Sequence, residues 1–242
     1  MLKFSIAQWQ GWAPGIDSPD GWLDWAEHPF CPFGDKSVPR LDFLPALQRR
    51  RLSPLARGVF ECAWPLAEGR PGMPLVYASR HGETTRNFGL LESLAADEPL
   101  SPTAFGLSVH NAIAAQWSII RRETAESVAL SVEDDGLEHA IIEAAMLFGH
   151  GHEDVLVVLT EEVPPAPYAP WTQDVPCSYA VALHLRPGSD WTLTMDPQQT
   201  DPALDAPQAW PNPLNLLRHL LLRTNAWRHA NRARQWIWTR TA

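Results

Sequence analysis

Polar and apolar residues alternate along Leu2-Lys3-Phe4-Ser5-Ile6-Ala7, a period of two that predicts a strand with one buried face. Trp9 and Trp12 follow. Gly11, Pro14-Gly15 and Ser18-Pro19-Asp20-Gly21 then predict a long surface loop to about Pro39, with Trp22 and Trp25 packed over the edge of the core. From Leu41 the spacing lengthens to three and four (Leu44, Leu47, Leu52, Leu55, Val59, Ala63, Leu66), which predicts two helical pieces with Pro45 and Pro54 at first turns. Pro74 to Ser79 predicts a short strand, and Phe105, Val109, Ile113 and Trp117 mark a helical region over Ser101 to Ile120. A β-type run from Ser127 to Val132 leads through the acidic turn Glu133-Asp134-Asp135-Gly136 to a helix over Leu137 to Phe148 and an apolar strand, Val155 to Val158.

The last third predicts a strand over Ser178 to Leu185, antiparallel to its predecessor, paired with Trp191 to Met195 in a hairpin across Pro187-Gly188. A polar, proline-containing loop runs from Asp196 to Pro211. Asn212 is expected to cap a helix with Pro213 in its first turn and an apolar stripe of Leu214, Leu217, Leu221 and Trp227. Gln235 to Thr239 predicts an edge strand.

The strand, turn, helix and strand from Ser127 to Val158 form one β-α-β unit, an arrangement that presents a nucleophile or cradles a substrate at a strand's carboxyl end. Length agrees with one large α/β domain or at most two small ones, since the chain has 242 residues, 45% hydrophobic and 19% charged. Net charge is -9, unevenly spread: Met1 to Asp205 holds 13 basic and 28 acidic residues, whereas Arg218, Arg223, Arg228, Arg232, Arg234 and Arg240 follow with no acid. An acidic body argues against a nucleic-acid partner. No run reaches the roughly 18 apolar residues of a membrane span. Cys31, Cys62 and Cys177, an odd number without a C-x-x-C, suggest reduced thiols and a cytoplasmic setting, and the amino terminus does not read as a signal peptide.

Several residues could carry chemistry. Arg80-His81-Gly82-Glu83 after a strand resembles the opening motif of the histidine phosphatases, in which the histidine accepts the phosphoryl group and the arginine neutralises it. That family places the motif after its first strand and needs a second histidine late in the chain. Here a strand, loop and helices precede it, and no late strand ends in His-Gly, so a structural turn is the preferred reading of His81 and Glu83. His110 and Asn111 lie without a nucleophile beside them, and Glu133, Asp134 and Asp135 are first explained as helix-start acids. His139, His150 and His152 lack the spacing of a structural zinc site, so no metal and no cofactor is expected. Arg49-Arg50-Arg51 reads as a solvated face.

Ser101-Pro102-Thr103-x-Phe105-x-x-Ser108-Val109-His110-Asn111-Ala112-Ile113-Ala114, followed by Ser118-Ile119, resembles the segment preceding the nucleophile in β-ketoacyl synthases, the thiolase-fold condensing enzymes of fatty-acid and polyketide synthesis. Ser79-Arg80-His81-Gly82-Glu83, about twenty residues earlier, fits the same family. The resemblance puts the family's cysteine elbow between Ser131 and Gly136, at Glu133 and Asp134, where this chain has no cysteine. It therefore implies a short relative without the elbow cysteine, similar to the chain-length-factor-like subunits of aryl polyene pathways. The implied fold is a single thiolase-like half over residues 1–242: α/β, three-layered, with a five-stranded mixed sheet and helices on both faces. The implied partners are a ketosynthase subunit and, indirectly, an acyl carrier protein, for which the Arg49 to Arg51 run would be a dock. The implied tunnel and interface residues are Phe105, Ser108, His110, Asn111, Ile113, Trp117, Ser127, Ala129 and Ser131. A histidine phosphatase and a plain scaffold remain as alternatives.

Overall fold

Seven strands share one mixed sheet in the computed structural model, which describes residues 1–16, 18–32, 37–196, 209–232 and 234–241. In chain order the elements are β1 (Leu2–Trp12), α1 (Pro19–Glu27), α2 (Ala46–Arg49), α3 (Pro54–Ala67), β2 (Leu75–Ala78), α4 (Thr84–Ala95), α5 (Pro102–Gly106) and α6 (Ala112–Arg121). They continue with β3 (Ser127–Leu130), α7 (Gly136–Gly149), β4 (Val155–Glu161), β5 (Tyr179–Asp196), α8 (Asn212–Leu221), β6 (Ala226–Asn231) and β7 (Arg234–Arg240). The strand order is β3-β2-β4-β5-β7-β6, with β1 also paired to β5; the first three are parallel and the remaining pairings antiparallel.

Side-chain alternation along the central strands divides the interior into two cores, as the pleat requires. Leu75, Tyr77, Leu156, Val158, Ala180 and Ala182 face α3 and α6, where Val59, Phe60, Ala63, Ile113 and Trp117 are buried. Val76, Ala78, Val155, Val157, Leu159, Val181 and Leu183 face the other way, toward α7 and the tryptophans of α1 and the C-terminal strands. All seven residues of β4 are buried, so it is the centre of the sheet. The expected helix-sheet-helix layering is present, with two more strands than expected.

Five local expectations are corrected. Ser18-Pro19-Asp20 starts a helix and not a loop: Ser18 Oγ accepts from the Gly21 amide at 3.1 Å, Pro19 occupies the first turn, and Trp22 and Trp25 face inward. Turn residues and helix-start residues are the same types, and here the helix prevails because two tryptophans one turn apart reach the core. The helical region over Ser101 to Ile120 divides into α5 and α6. Asn212 does not cap α8. Pro211 occupies that position, and the Asn212 amide is buried against α7. Trp227, assigned to the same stripe, lies on β6, and Gln235 to Thr239 belong to β7, which is interior because β6 covers it. Residues 197–208 of the expected loop lie outside the described residues.

The predicted hairpin at Pro187-Gly188 is also absent. Ser5 pairs with Arg186 and Phe4 with Trp191, so residues 187–190 are looped out of a strand that continues in the same direction. Such a bulge sharpens the local twist, and beyond it β5 pairs with β7 instead of β4. Gly188 sits against β1 here: a Cβ would lie 1.9 Å from Ser5 Oγ and 2.8 Å from Ser5 Cβ. Gly188→Ala is expected to cost about 1–3 kcal/mol through overpacking, read as a lower urea midpoint, and Ser5→Gly in the same chain should restore part of the loss. An unchanged midpoint in Gly188→Ala would contradict the close approach.

Candidate functional site

The carboxyl ends of β2 and β4 and the turn between β3 and α7 meet around a cavity of about 590 Å³. Ligands in open α/β sheets bind at this end of the strands. Residues following β2 form one wall. Arg80 places a guanidinium nitrogen 3.1 Å from Asp174 Oδ2 and 4.0 Å from Asp134, and His81 Nε2 lies 2.9 Å from the same Asp174 oxygen. The next residue set is buried. Glu161, at the end of β4, accepts from the backbone N–H groups of Arg80 and His81 and from Ser79 Oγ, while Ser79 Oγ accepts from the Gly82 amide at 2.8 Å. Burial outweighs these donors and pushes the Glu161 carboxyl up to about 7. Glu162 beside it is likewise pushed up to about 7 by burial. Glu83 is also buried, accepting from Ser53 Oγ at 2.5 Å and Arg86 Nε at 3.1 Å.

This arrangement does not suit a phosphoryl acceptor. The amides after β2 that could cradle a phosphate are bonded to a carboxylate, and Asp174 holds both the arginine and the histidine of the motif. A phosphate would have to displace those bonds and approach the Asp174 carboxylate.

The opposite wall is the turn from β3 to α7. Ser131 is exposed and donates to the Arg80 carbonyl at 2.9 Å. Glu133 pairs with Arg232 at 2.9 Å, and Asp134 is exposed. Asp135 occupies the N-cap position of α7, but its carboxylate bonds no helix amide. It is fully buried and accepts from Arg234 Nε (2.6 Å), Asn231 Nδ2 (2.8 Å) and Trp236 Nε1 (3.1 Å). Burial alone would raise its pKa, yet these donors hold it below the ordinary carboxylate value. One turn on, Glu138 accepts from Asn212 Nδ2 and Trp238 Nε1, each at 3.0 Å, and from His229 Nδ1 at 3.1 Å. Burial would lower the pKa of His229, but the Glu138 carboxylate overrides it and raises it. The capping role expected for the acidic cluster is therefore replaced by side-chain ties to the C-terminal strands.

No thiol lies at this turn. Cys31, Cys62 and Cys177 are all buried elsewhere, with pKa values raised by burial, so the chain lacks a cysteine at the turn only. Among the described residues, no three His, Cys, Asp or Glu side chains are grouped to hold a metal ion. No helix of the described residues is long and apolar enough to cross a membrane.

The residues expected at an interface fall into two sets. Phe105 is exposed (63%), in one stretch of chain with exposed Leu91, Leu94, Leu100 and Val109, and α4 buries none of its residues. Ser127 and Ala129 lie on β3, which pairs with β2 alone among the described strands, and with Asn111 of the α6 start they border an open depression of about 430 Å³. Ile113 and Trp117 are instead buried against α3, with the Trp117 ring 5.3 Å from Phe60. Ser108 and His110 brace the segment from behind: Ser108 Oγ donates to the Phe105 carbonyl at 2.8 Å and His110 Nε2 to the Ser79 carbonyl at 2.6 Å. Asp174, Glu161, Glu138 and His229 were not legible as site residues. The one available signal was Glu161, an acid closing an otherwise apolar strand.

The family model of the β-ketoacyl synthase N-terminal domain matches residues 22–239. A chain in the structure of the ketosynthase ApeO in complex with its chain length factor ApeC, from Xenorhabdus doucetiae, is 30% identical with a TM-score of 0.85, covering 99% of this chain and 100% of that one. The ishigamide ketosynthase/chain length factor gives a TM-score of 0.60 at 13% identity, covering 81% of this chain and 67% of that one. A β-ketoacyl synthase from Burkholderia phymatum STM815 gives 0.57 at 15% identity, covering 93% and 71%. The last two bear on the fold alone, which is the thiolase-like half expected. None of the curated proteins matches the chain.

Glu161 and Glu162 make stability depend on pH. Both have folded pKa values near 7 against an ordinary 4.5, so between these values the folded chain holds protons that the unfolded chain does not. Their contribution is therefore most favourable at low pH and is lost as pH rises through about 7; the raised His229 acts in the same direction. Glu161→Gln/Glu162→Gln is expected to narrow the fall in melting temperature between pH 5.5 and pH 8, as followed by circular dichroism. An equal fall in both proteins would contradict the assignment.

Proposed function

The chain belongs to the family of β-ketoacyl synthase N-terminal domains, and we propose on that premise that it is a chain-length-factor-like subunit, pairing with a ketosynthase without itself condensing. The observation that carries the proposal is the turn from Ser131 to Gly136. Where the family's resemblance places a cysteine, this chain presents Glu133 and Asp134, with Asp135 buried in an ion pair. A carboxylate cannot replace a thiolate as acceptor in thioester exchange. The similarity to a chain of the ApeO–ApeC complex supports the same reading.

The free edge of β3 is the natural place for a partner. Ser127 and Ala129 would add the partner's strand to the sheet, and Phe105 with its exposed apolar neighbours would be covered by the same contact. Asn111 and Ser131 flank that edge. Ser108, His110, Ile113 and Trp117 would act from behind, fixing the segment whose outer side closes the partner's acyl tunnel. An extra methylene in a filled pocket costs about 1–3 kcal/mol, enough to stop growth at a defined length. An acyl carrier protein would reach the pair through the ketosynthase, in aryl polyene, polyketide or fatty-acid-type elongation. The histidine-phosphatase alternative is set aside, because the amides and histidine it requires are bonded to Glu161 and Asp174.

Co-expression with a ketosynthase of such a pathway is expected to give one species of combined mass on a sizing column. After incubation with an acyl carrier thioester, intact mass should place the acyl group on the ketosynthase and leave this chain unchanged. A stable acyl adduct on any residue from Ser131 to Gly136 would overturn the non-catalytic role, and two separately eluting proteins would overturn the pairing.

A further inference from the structure

One corner of the cavity keeps unpartnered donors, and nothing in the proposed pairing uses it. The first residues of α8, Asn212 and Pro213, line it together with Trp210 and His229. Pro211 at the N-cap offers no side-chain acceptor, Pro213 has no N–H, and the first bond of the helix runs from the Asn215 amide to the Pro211 carbonyl. The amides of Asn212 and Leu214 therefore have no acceptor among the described residues, although both residues are buried. A buried amide without an acceptor is rare. His229 lines the same cavity with its side chain only 10% exposed. Its Nδ1 donates to Glu138 at 3.1 Å, the Glu138 carboxylate favours the charged ring, and the second N–H, on Nε2, has no partner among the described residues.

We propose that this corner binds the carboxylate of a small organic acid, which accepts from the α8 amides and from His229 Nε2 while its apolar body lies in the cavity. Helix N-termini take anions because their free N–H groups and the aligned peptide dipoles favour negative charge at the same place. Helix α8 has ten residues and no acidic residue in its first turn to fill that place itself. A single negative charge suits the site better than two. Glu133, Asp134 and Asp174 line the same cavity, so a phosphate dianion is repelled more strongly than a carboxylate. Val132, Leu137, Leu159, Val175 and Tyr179 supply an apolar wall for the body of the acid. The site is complete within this chain, so it stands or falls apart from the pairing with a ketosynthase.

The test titrates the full chain with octanoate and with octanamide at pH 7 in a calorimeter. Octanoate should saturate a single site, and octanamide, with the same body and no charge, should bind about tenfold or more less tightly. His229→Gln keeps a donor for Glu138 and should weaken octanoate binding about tenfold while leaving octanamide unchanged. If that variant fails to fold, diethylpyrocarbonate decides on the unsubstituted chain. Octanoate, and not octanamide, should slow the modification of His229, read by mass in the tryptic peptide of residues 229–232, and leave the exposed His28 reacting as before. Equal affinity for the acid and the amide, no binding of either, or a His229 modified at one rate with and without octanoate would each overturn the proposal.

Discussion

Two buried carboxylates at the start of α7 set the order of the whole molecule. Asp135 and Glu138 are without solvent contact, and a buried charge is tolerated only when donors surround it. All of those donors but one come from the last strands: His229, Asn231, Arg234, Trp236 and Trp238, with Asn212 from the start of α8. Helix α7 therefore cannot be buried until the C-terminal segment arrives. The bulge at residues 187–190 makes this possible, because beyond it β5 leaves β4 and carries β7 and β6 across the helix. The stacked Trp227 and Trp238, with Phe4 edge-on to Trp238, then close that core.

The same carboxylates bear on function. A strand-to-helix turn at the end of a parallel sheet is a place where a nucleophile can be raised in an electropositive setting. Here the setting is filled by Asp135, and its positive partner, Arg234, is spent on that ion pair. Across the cavity the amides after β2 are bonded to Glu161. On both walls of the cavity the charged groups are bonded to one another, which is the observation that supports the non-catalytic role proposed above. The surface proposed for the partner is β3, at the opposite end of the sheet from β6, together with the exposed apolar stretch from Leu91 to Val109.

The sequence made the layers legible because β2, β4 and the first half of β5 are apolar on both faces and α3 and α7 carry clear stripes. It failed where one residue type serves two purposes. Ser18-Pro19-Asp20 is turn chemistry and helix-start chemistry alike, and Pro187-Gly188 suits a hairpin as well as a bulge. Helix α4 was missed for a different reason: it buries no residue, so it has no stripe to find. The acids Glu133 to Asp135 were visible, but the partners of Asp135 lie about a hundred residues away, and no local pattern announces such pairs. Trp117 and Phe105 share a helical spacing in the sequence, yet the break between α5 and α6 sends one into the core and leaves the other outside.

Hydrogen exchange of the backbone amides, with and without the ketosynthase, tests the central claim most directly. An edge strand with one neighbour exchanges readily on its free side, and a partner strand would protect it. The account predicts slowed exchange over residues 127–130 and over the stretch from Leu91 to Val109, with β6 at the far end of the sheet unchanged. Protection confined to β6 and the C-terminal strands, with β3 exchanging as in the isolated chain, would contradict it.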